Sequence, residues 1–305
     1  MQNKDNSELI RKIPGIIEVR RILFTKELAD IVGPITAKIA KNNSKSIFVY
    51  RIMYRSQGHK VAGFIIEPQH GNNFPCIIYN RGGSGEFGAI KVGILFTRLP
   101  AELALNNYIV IASQYSGNAG SEGKDEVGGS DIEDVLVLQK ILKKYSRANS
   151  NKIGMYGPSR GGTMTYISLA KVKWIKAAVT VGGMTNLIRQ EKLRPEMKER
   201  FKKIFGGNLV EKKKRSAVFW VHLFYKKTPL LIMHGGSDWR VSPLDSIELV
   251  QKLLKFNIPH RFVLFEGADH SLTEHTIESN QLTILWFDRF LKNDEPLPDT
   301  KPHGM

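Results

Sequence analysis

Lys152-Ile-Gly-Met-Tyr156 runs straight into Gly157-Pro-Ser-Arg-Gly-Gly162, and a helical pattern continues from Gly161 to Lys171. The first five residues read as a buried strand. The next six contain Gly-x-Ser-x-Gly, the one occurrence in the chain. Composition alone yields that five-residue pattern in roughly one chain in seven, so the context must carry the inference. The context is strand, sharp turn, helix. Such a turn forces the serine into a strained backbone conformation and presents its hydroxyl, while flanking glycines spare the strand and helix a collision. Ser159 is therefore the candidate nucleophile. The competing reading is a glycine-rich helix start capped by a serine.

Working outward, short apolar runs alternate with helical patterns. Ile47 to Arg55 and Val61 to Ile66 read as an antiparallel hairpin turning at Gly58-His59. Pro75 to Tyr79, Tyr108 to Ala112, Ala177 to Val181, Pro229 to Met233 and Arg261 to Phe265 read as further strands. Helices are expected over Leu23 to Ala40 with a break at Gly33-Pro34, after a capping box at Ser130 to Glu133, and over Pro243 to Phe256 and Thr276 to Leu291. This alternation defines an α/β protein with a mostly parallel central sheet and helices on both faces. Residues 1–46 form an N-terminal extension packed on the main domain, 47–293. Residues 183–227 form a small helical cap, and 294–305 a frayed tail.

A serine needs a base, and the base needs a group to orient it. His270 sits in Glu266-Gly-Ala-Asp-His270, just past a strand and before the last helix. Asp238 sits in His234-Gly-Gly-Ser-Asp238, just past the preceding strand. The chain order Ser…Asp…His is that of the α/β-hydrolase fold. Asp269 ranks second as the acid because adjacent residues rarely face each other. Asp245 belongs to the following helix, His275 to the last one, and His234 reads as structural. The oxyanion donors are expected from the Arg160 amide and from the loop Asn80-Arg-Gly-Gly-Ser-Gly85, with Gly82 preferred and Gly83 next.

Bulk properties fit this reading. Of 305 residues, 42% are hydrophobic and 24% charged, ordinary for a soluble globular chain. No stretch reads as a secretory leader or a membrane span, so a cytoplasmic protein is expected. The single cysteine, Cys76, lies in a predicted strand and reads as a small core hydrophobe. No His/Cys spacing suggests a metal, and no phosphate-binding loop suggests a nucleotide, so no cofactor is expected. The net charge of +16 is uneven: Arg189 to Lys227 holds 13 Lys/Arg against 4 Asp/Glu. No nucleic-acid motif accompanies it, which leaves a solvated helical face.

Together these residues resemble the prolyl oligopeptidase family of serine peptidases and its stand-alone hydrolase relatives, over roughly Ile47 to Leu291. The resemblance lies in Ile77-Ile-Tyr-Asn-Arg-Gly-Gly, in Gln114 to Asp134, in Gly157 to Gly162, in Thr228 to Asp238 with Val241, and in Gly267-Ala-Asp-His270. It implies Ser159, Asp238 and His270 as the catalytic residues, acting on a small-molecule ester or a short peptide. Arg81 stands where many relatives have histidine, and Pro158 where an aromatic or histidine is usual. The 46 residues before Ile47 are too few for the β-propeller of the family's peptidases, which leaves an esterase equally open. Met197, Phe201, Phe205, Phe219, Trp220 and Phe224 of the cap are expected over the pocket, where the basic segment would favour acidic substrates. The alternative function is a catalytically silent hydrolase fold that binds through its basic surface. The sequence does not fix the oligomeric state.

Overall fold

The computed structural model describes residues 5–304. Its strands are β1 (Ile16–Ile22), β2 (Ile47–Ser56), β3 (His59–Pro68), β4 (Phe74–Asn80), β5 (Ile109–Ser113), β6 (Ala148–Pro158), β7 (Ile175–Val181), β8 (Leu230–Gly235) and β9 (His260–Phe265). Every strand expected from the sequence is present, most of them a residue or more longer. The chain divides into two units. The first contains residues up to Tyr79, Gly85–Asp125 and Glu133–Ile153. The second contains Asn80–Ser84, Glu126–Ile132 and the chain from Gly154 onward.

In the first unit the strand order is β1-β2-β3-β5-β4. The hairpin β2–β3 pairs from Ile47↔Pro68 to Ser56↔His59. Its turn is Gln57-Gly58, one residue earlier than expected, and both residues have positive φ. A two-residue hairpin loop of that kind matches the twist of the strands it joins. Strand β1 was not legible. Its Glu18, Arg20 and Arg21 break the apolar alternation, and its register shifts between Ile16 and Glu18. Charges and a bulge are ordinary features of an edge strand, where they discourage pairing with another chain. The break at Gly33-Pro34 is real: helices Lys26–Val32 and Pro34–Asn43 meet there, with Pro34 in the first turn of the second. Cys76 is fully buried in β4.

In the second unit, which takes β6 from Gly154 onward, the order is β6-β7-β8-β9, with β7, β8 and β9 parallel. Leu230 to Gly235 is buried throughout, as a parallel strand covered on both faces should be. Helices Arg160–Lys171, Pro243–Lys255 and Thr276–Phe287 alternate with these strands, and the last continues as a π-helical turn, Asp288–Lys292. Residues 183–227 contain helices Leu187–Leu193, Glu196–Phe205 and Leu209–Lys214, then two short 3-10 turns. Met197 and Phe201 pack with Met184, Leu187 and Val241, and Phe205 lies against that cluster. Phe224 stacks on Tyr166, Trp220 leans on Phe224, and Phe219 is exposed. Met197, Phe201 and Phe224 are thus buried, whereas Phe205 and Trp220 are half-buried. Residues 294–304 form no helix or strand. Among the described residues no helix is long and apolar enough to cross a membrane.

Candidate active site

Ser159 ends β6 and precedes helix Arg160–Lys171 with φ 53° and ψ −122°. That region is costly for a residue with a side chain and persists only when its surroundings enforce it. They do so here. The Ser159 amide donates to the Val181 carbonyl at 2.7 Å, and its carbonyl accepts from Gly162 at 2.8 Å. A Cβ on Gly157 would lie 2.1 Å from the Gly161 carbonyl oxygen, and one on Gly161 would lie 2.1 Å from that of Asn80. Only glycine fits at either position, which is why the motif has its spacing.

His270 and Asp238 are brought to this serine. His270 Nε2 lies 2.9 Å from Ser159 Oγ, and His270 Nδ1 lies 2.7 Å from Asp238 Oδ2. Asp238 Oδ1 accepts from the amides of Arg240 at 2.8 Å and Val241 at 3.0 Å. Burial pushes the Asp238 carboxyl up, but hydrogen bonds from His234, His270 and the Val241 amide outweigh it and hold it well below the usual range. An ionised carboxylate only accepts, so His270 carries its proton on Nδ1. Its Nε2 then faces the serine hydroxyl with a lone pair. Gly182, at φ 53°, makes the space: a Cβ there would sit 3.2 Å from His270 Nδ1 and 3.3 Å from Asp238 Oδ2.

The other candidates are occupied elsewhere. Asp269 accepts from Ser271, Thr273 and the Thr273 hydroxyl, closing its own turn. Asp245 pairs with Arg189 at 3.0 Å and accepts from the amides of Thr185 and Asn186. The His275 ring packs on Phe265.

The expected oxyanion loop lies beside Ser159. A Cβ on Gly82 would be 3.5 Å from that of Ser159. Two guanidiniums hold the loop. Arg81 Nη1 donates to the Gly82 carbonyl at 3.1 Å, and Arg160 Nη1 donates to the Gly83 carbonyl at 3.0 Å. Arg160 also pairs with Asp131 at 2.7 Å, both side chains being almost fully buried. Asp131 in turn accepts from the amides of Glu126 and Gly128. These side-chain roles of Arg81, Arg160 and Asp131 were missed. A charged side chain in a motif reads as surface, and nothing local shows that it will be buried.

A buried carboxylate, an imidazole and a serine hydroxyl in series, with a glycine loop alongside, define a serine hydrolase of the α/β-hydrolase fold. The solved acylaminoacyl peptidase of Pyrococcus horikoshii has that fold and superposes with a TM-score of 0.73 at 22% identity, over 90% of this chain and 46% of its own. A profile of the prolyl oligopeptidase family matches residues 97–294. The chain belongs to the prolyl oligopeptidase family. It is similar to the peptidase YtmA of Bacillus subtilis, at 28% identity over 71% of this chain and 83% of that one. It is also similar to dipeptidyl-peptidase 5 of Porphyromonas endodontalis, at 26% identity over 79% of this chain. There it spans 37% of the relative's length.

Proposed function

We propose that Ser159 is the nucleophile of this hydrolase, His270 its general base and then acid, and Asp238 the group that orients the imidazole. Ser159 Oγ attacks the carbonyl of a small ester or a short peptide as His270 Nε2 takes its proton. The tetrahedral oxyanion is met by the Arg160 amide and by the amides of Gly82 and Gly83. The imidazolium protonates the leaving group, and water then hydrolyses the acyl-enzyme by the reverse transfers. The observation that carries this reading is the continuous path Asp238 Oδ2–His270–Ser159 Oγ, with contacts of 2.7 and 2.9 Å. The basic helix Glu196–Phe205 supports a preference for acidic substrates, because the Arg200 guanidinium reaches the Ser84 hydroxyl on the oxyanion loop. The single, buried cysteine fits a reducing, cytoplasmic setting.

The test is a fluorophosphonate probe followed by turnover of matched neutral and acidic esters. The wild-type protein should be labelled at Ser159. Ser159→Ala should lose the label and lower kcat by on the order of 10⁶ with an unchanged melting temperature. Retained turnover in that variant removes Ser159 from the role, and no labelling of the wild type favours a silent binding protein. Equal rates on the two esters remove the acidic preference.

A further inference from the structure

His234, at the end of β8, is fully buried and sits four residues before Asp238. Its Nε2 faces two oxygens: the Val241 carbonyl at 2.9 Å and Asp238 Oδ2 at 3.1 Å. A carbonyl and an ionised carboxylate both only accept, so Nε2 must carry a hydrogen and share it between them. The other ring nitrogen, Nδ1, meets Ser246 Oγ at 2.7 Å, a hydroxyl on helix Pro243–Lys255. The ring orientation is therefore fixed from both ends.

Asp238 thus has a donor for each of its lone-pair sites. Oδ1 takes two backbone amides, and Oδ2 takes two imidazole N–H groups, one from His270 and one from His234. The two imidazoles compete for one oxygen. A carboxylate oxygen that already accepts a second hydrogen bond attracts the His270 proton less strongly and stabilises its imidazolium less. It is also held against rotation, which keeps the His270 ring aimed at Ser159.

We infer that His234 is a positioning residue of the catalytic machinery: it fixes the rotation of Asp238 and, by sharing its Oδ2, sets the basicity of His270. The inference rests on reading Ser159, His270 and Asp238 as the triad. His234 touches no substrate and acts only through Asp238. The groups placed against His270 come from separate elements. Asp238 and His234 come from β8 and the loop after it, and Asp269 comes from the histidine's own loop. After β7 the facing residue is Gly182, which has no charge. Removing the His234 N–H leaves Asp238 Oδ2 to His270 alone, so the imidazolium gains stability and the base titrates higher.

The test is the pH profile of kcat/KM on a small ester for His234→Leu, His234→Gln and Ser246→Ala, each with its melting curve. Leucine removes the donor, whereas the glutamine amide nitrogen reaches about where Nε2 lies and restores it. His234→Leu should lower kcat on the order of tenfold at unchanged KM and move the acid limb up by about half a pH unit. His234→Gln should return both toward the wild type. Ser246→Ala should shift the limb the same way by less. A folded His234→Leu with wild-type kcat and an unmoved limb overturns the inference. So does an unmoved limb in Ser246→Ala should the leucine variant not fold. Activity in Ser159→Ala would instead undo the triad on which it rests. With Ser159→Ala inactive, a normal His234→Leu profile counts against His234 alone.

Discussion

Glu67 in the first unit and Asp238 in the second are both carboxylates withdrawn from water, yet they are shifted in opposite directions. Glu67 is met by Arg147 at 2.8 Å, the Tyr145 hydroxyl at 2.7 Å and the Asn6 amide at 2.8 Å. Burial still dominates and raises its pKa. On Asp238 two imidazole and two amide N–H groups converge and lower its pKa. The difference lies in which effect wins: the burial of Glu67 outweighs its three partners, whereas the donors aimed at both oxygens of Asp238 outweigh its burial. The first arrangement ties a fold together, and the second holds an anion against the His270 imidazole.

The contrast breaks most sharply under amide substitution. Asp238→Asn should lower kcat by about 10⁴, because the asparagine amide competes to donate to His270 and favours the wrong tautomer, with a stability loss near neutral pH that is small beside the effect on kcat. Glu67→Gln should do the reverse. It removes the counter-charge of the buried Arg147, which keeps its hydrogen bonds to the Pro68 and Gly71 carbonyls, and should cost about 3 kcal/mol in denaturant unfolding, with kcat unchanged in the folded protein. A loss of activity in Glu67→Gln at full stability would end the distinction. Arg160→Met sharpens it from within the site, since the buried Arg160–Asp131 pair ties the Gly82–Gly83 loop rather than a core. Here kcat/KM on an ester should fall on the order of 10² as the Gly82–Gly83 amides lose their placement. Asp131→Asn in the same background should add little, and full additivity would place Asp131 outside that path.

The smallest effect is the sign of the pH dependence. The Asp238 carboxyl is lowered in the fold, so its stabilising contribution is present above the ordinary carboxylate range and is lost as pH falls below about 4. Glu67 is raised, so its contribution is present at low pH and is lost as pH rises through its elevated value. The stability gap between wild type and Glu67→Gln should therefore widen as pH is lowered toward about 4, and that for Asp238→Asn should narrow below it. Thermal melts across pH 3 to 7 read both trends, and parallel trends would contradict the opposite shifts.

The same contrast marks what the sequence can reveal. Ser159, Asp238 and His270 are each embedded in a local pattern of glycines at a strand end, because a sharp turn there leaves no room for a side chain. Such patterns are visible without coordinates. The network of Glu67, Tyr145, Arg147 and Asn6 pairs residues that lie far apart in the chain, Tyr145 and Glu67 by 78 positions, and leaves no periodic trace. Arg160 lies inside the serine motif, yet its partner is 29 residues away. His234 read as structural because its value depends on which acceptors face its Nε2. The parallel strands were legible as continuous apolar runs, whereas β1 was hidden by the charges that suit an edge.

Trapping the acyl-enzyme tests the central claim most directly. The protein is mixed with a slowly deacylating nitrophenyl ester, quenched in acid within one turnover, and digested for peptide mass analysis. One acyl group on the peptide containing Ser159, with release of one equivalent of nitrophenol in the burst, is the expected result. Acyl groups on another residue, or turnover with no burst and no covalent adduct, would contradict it.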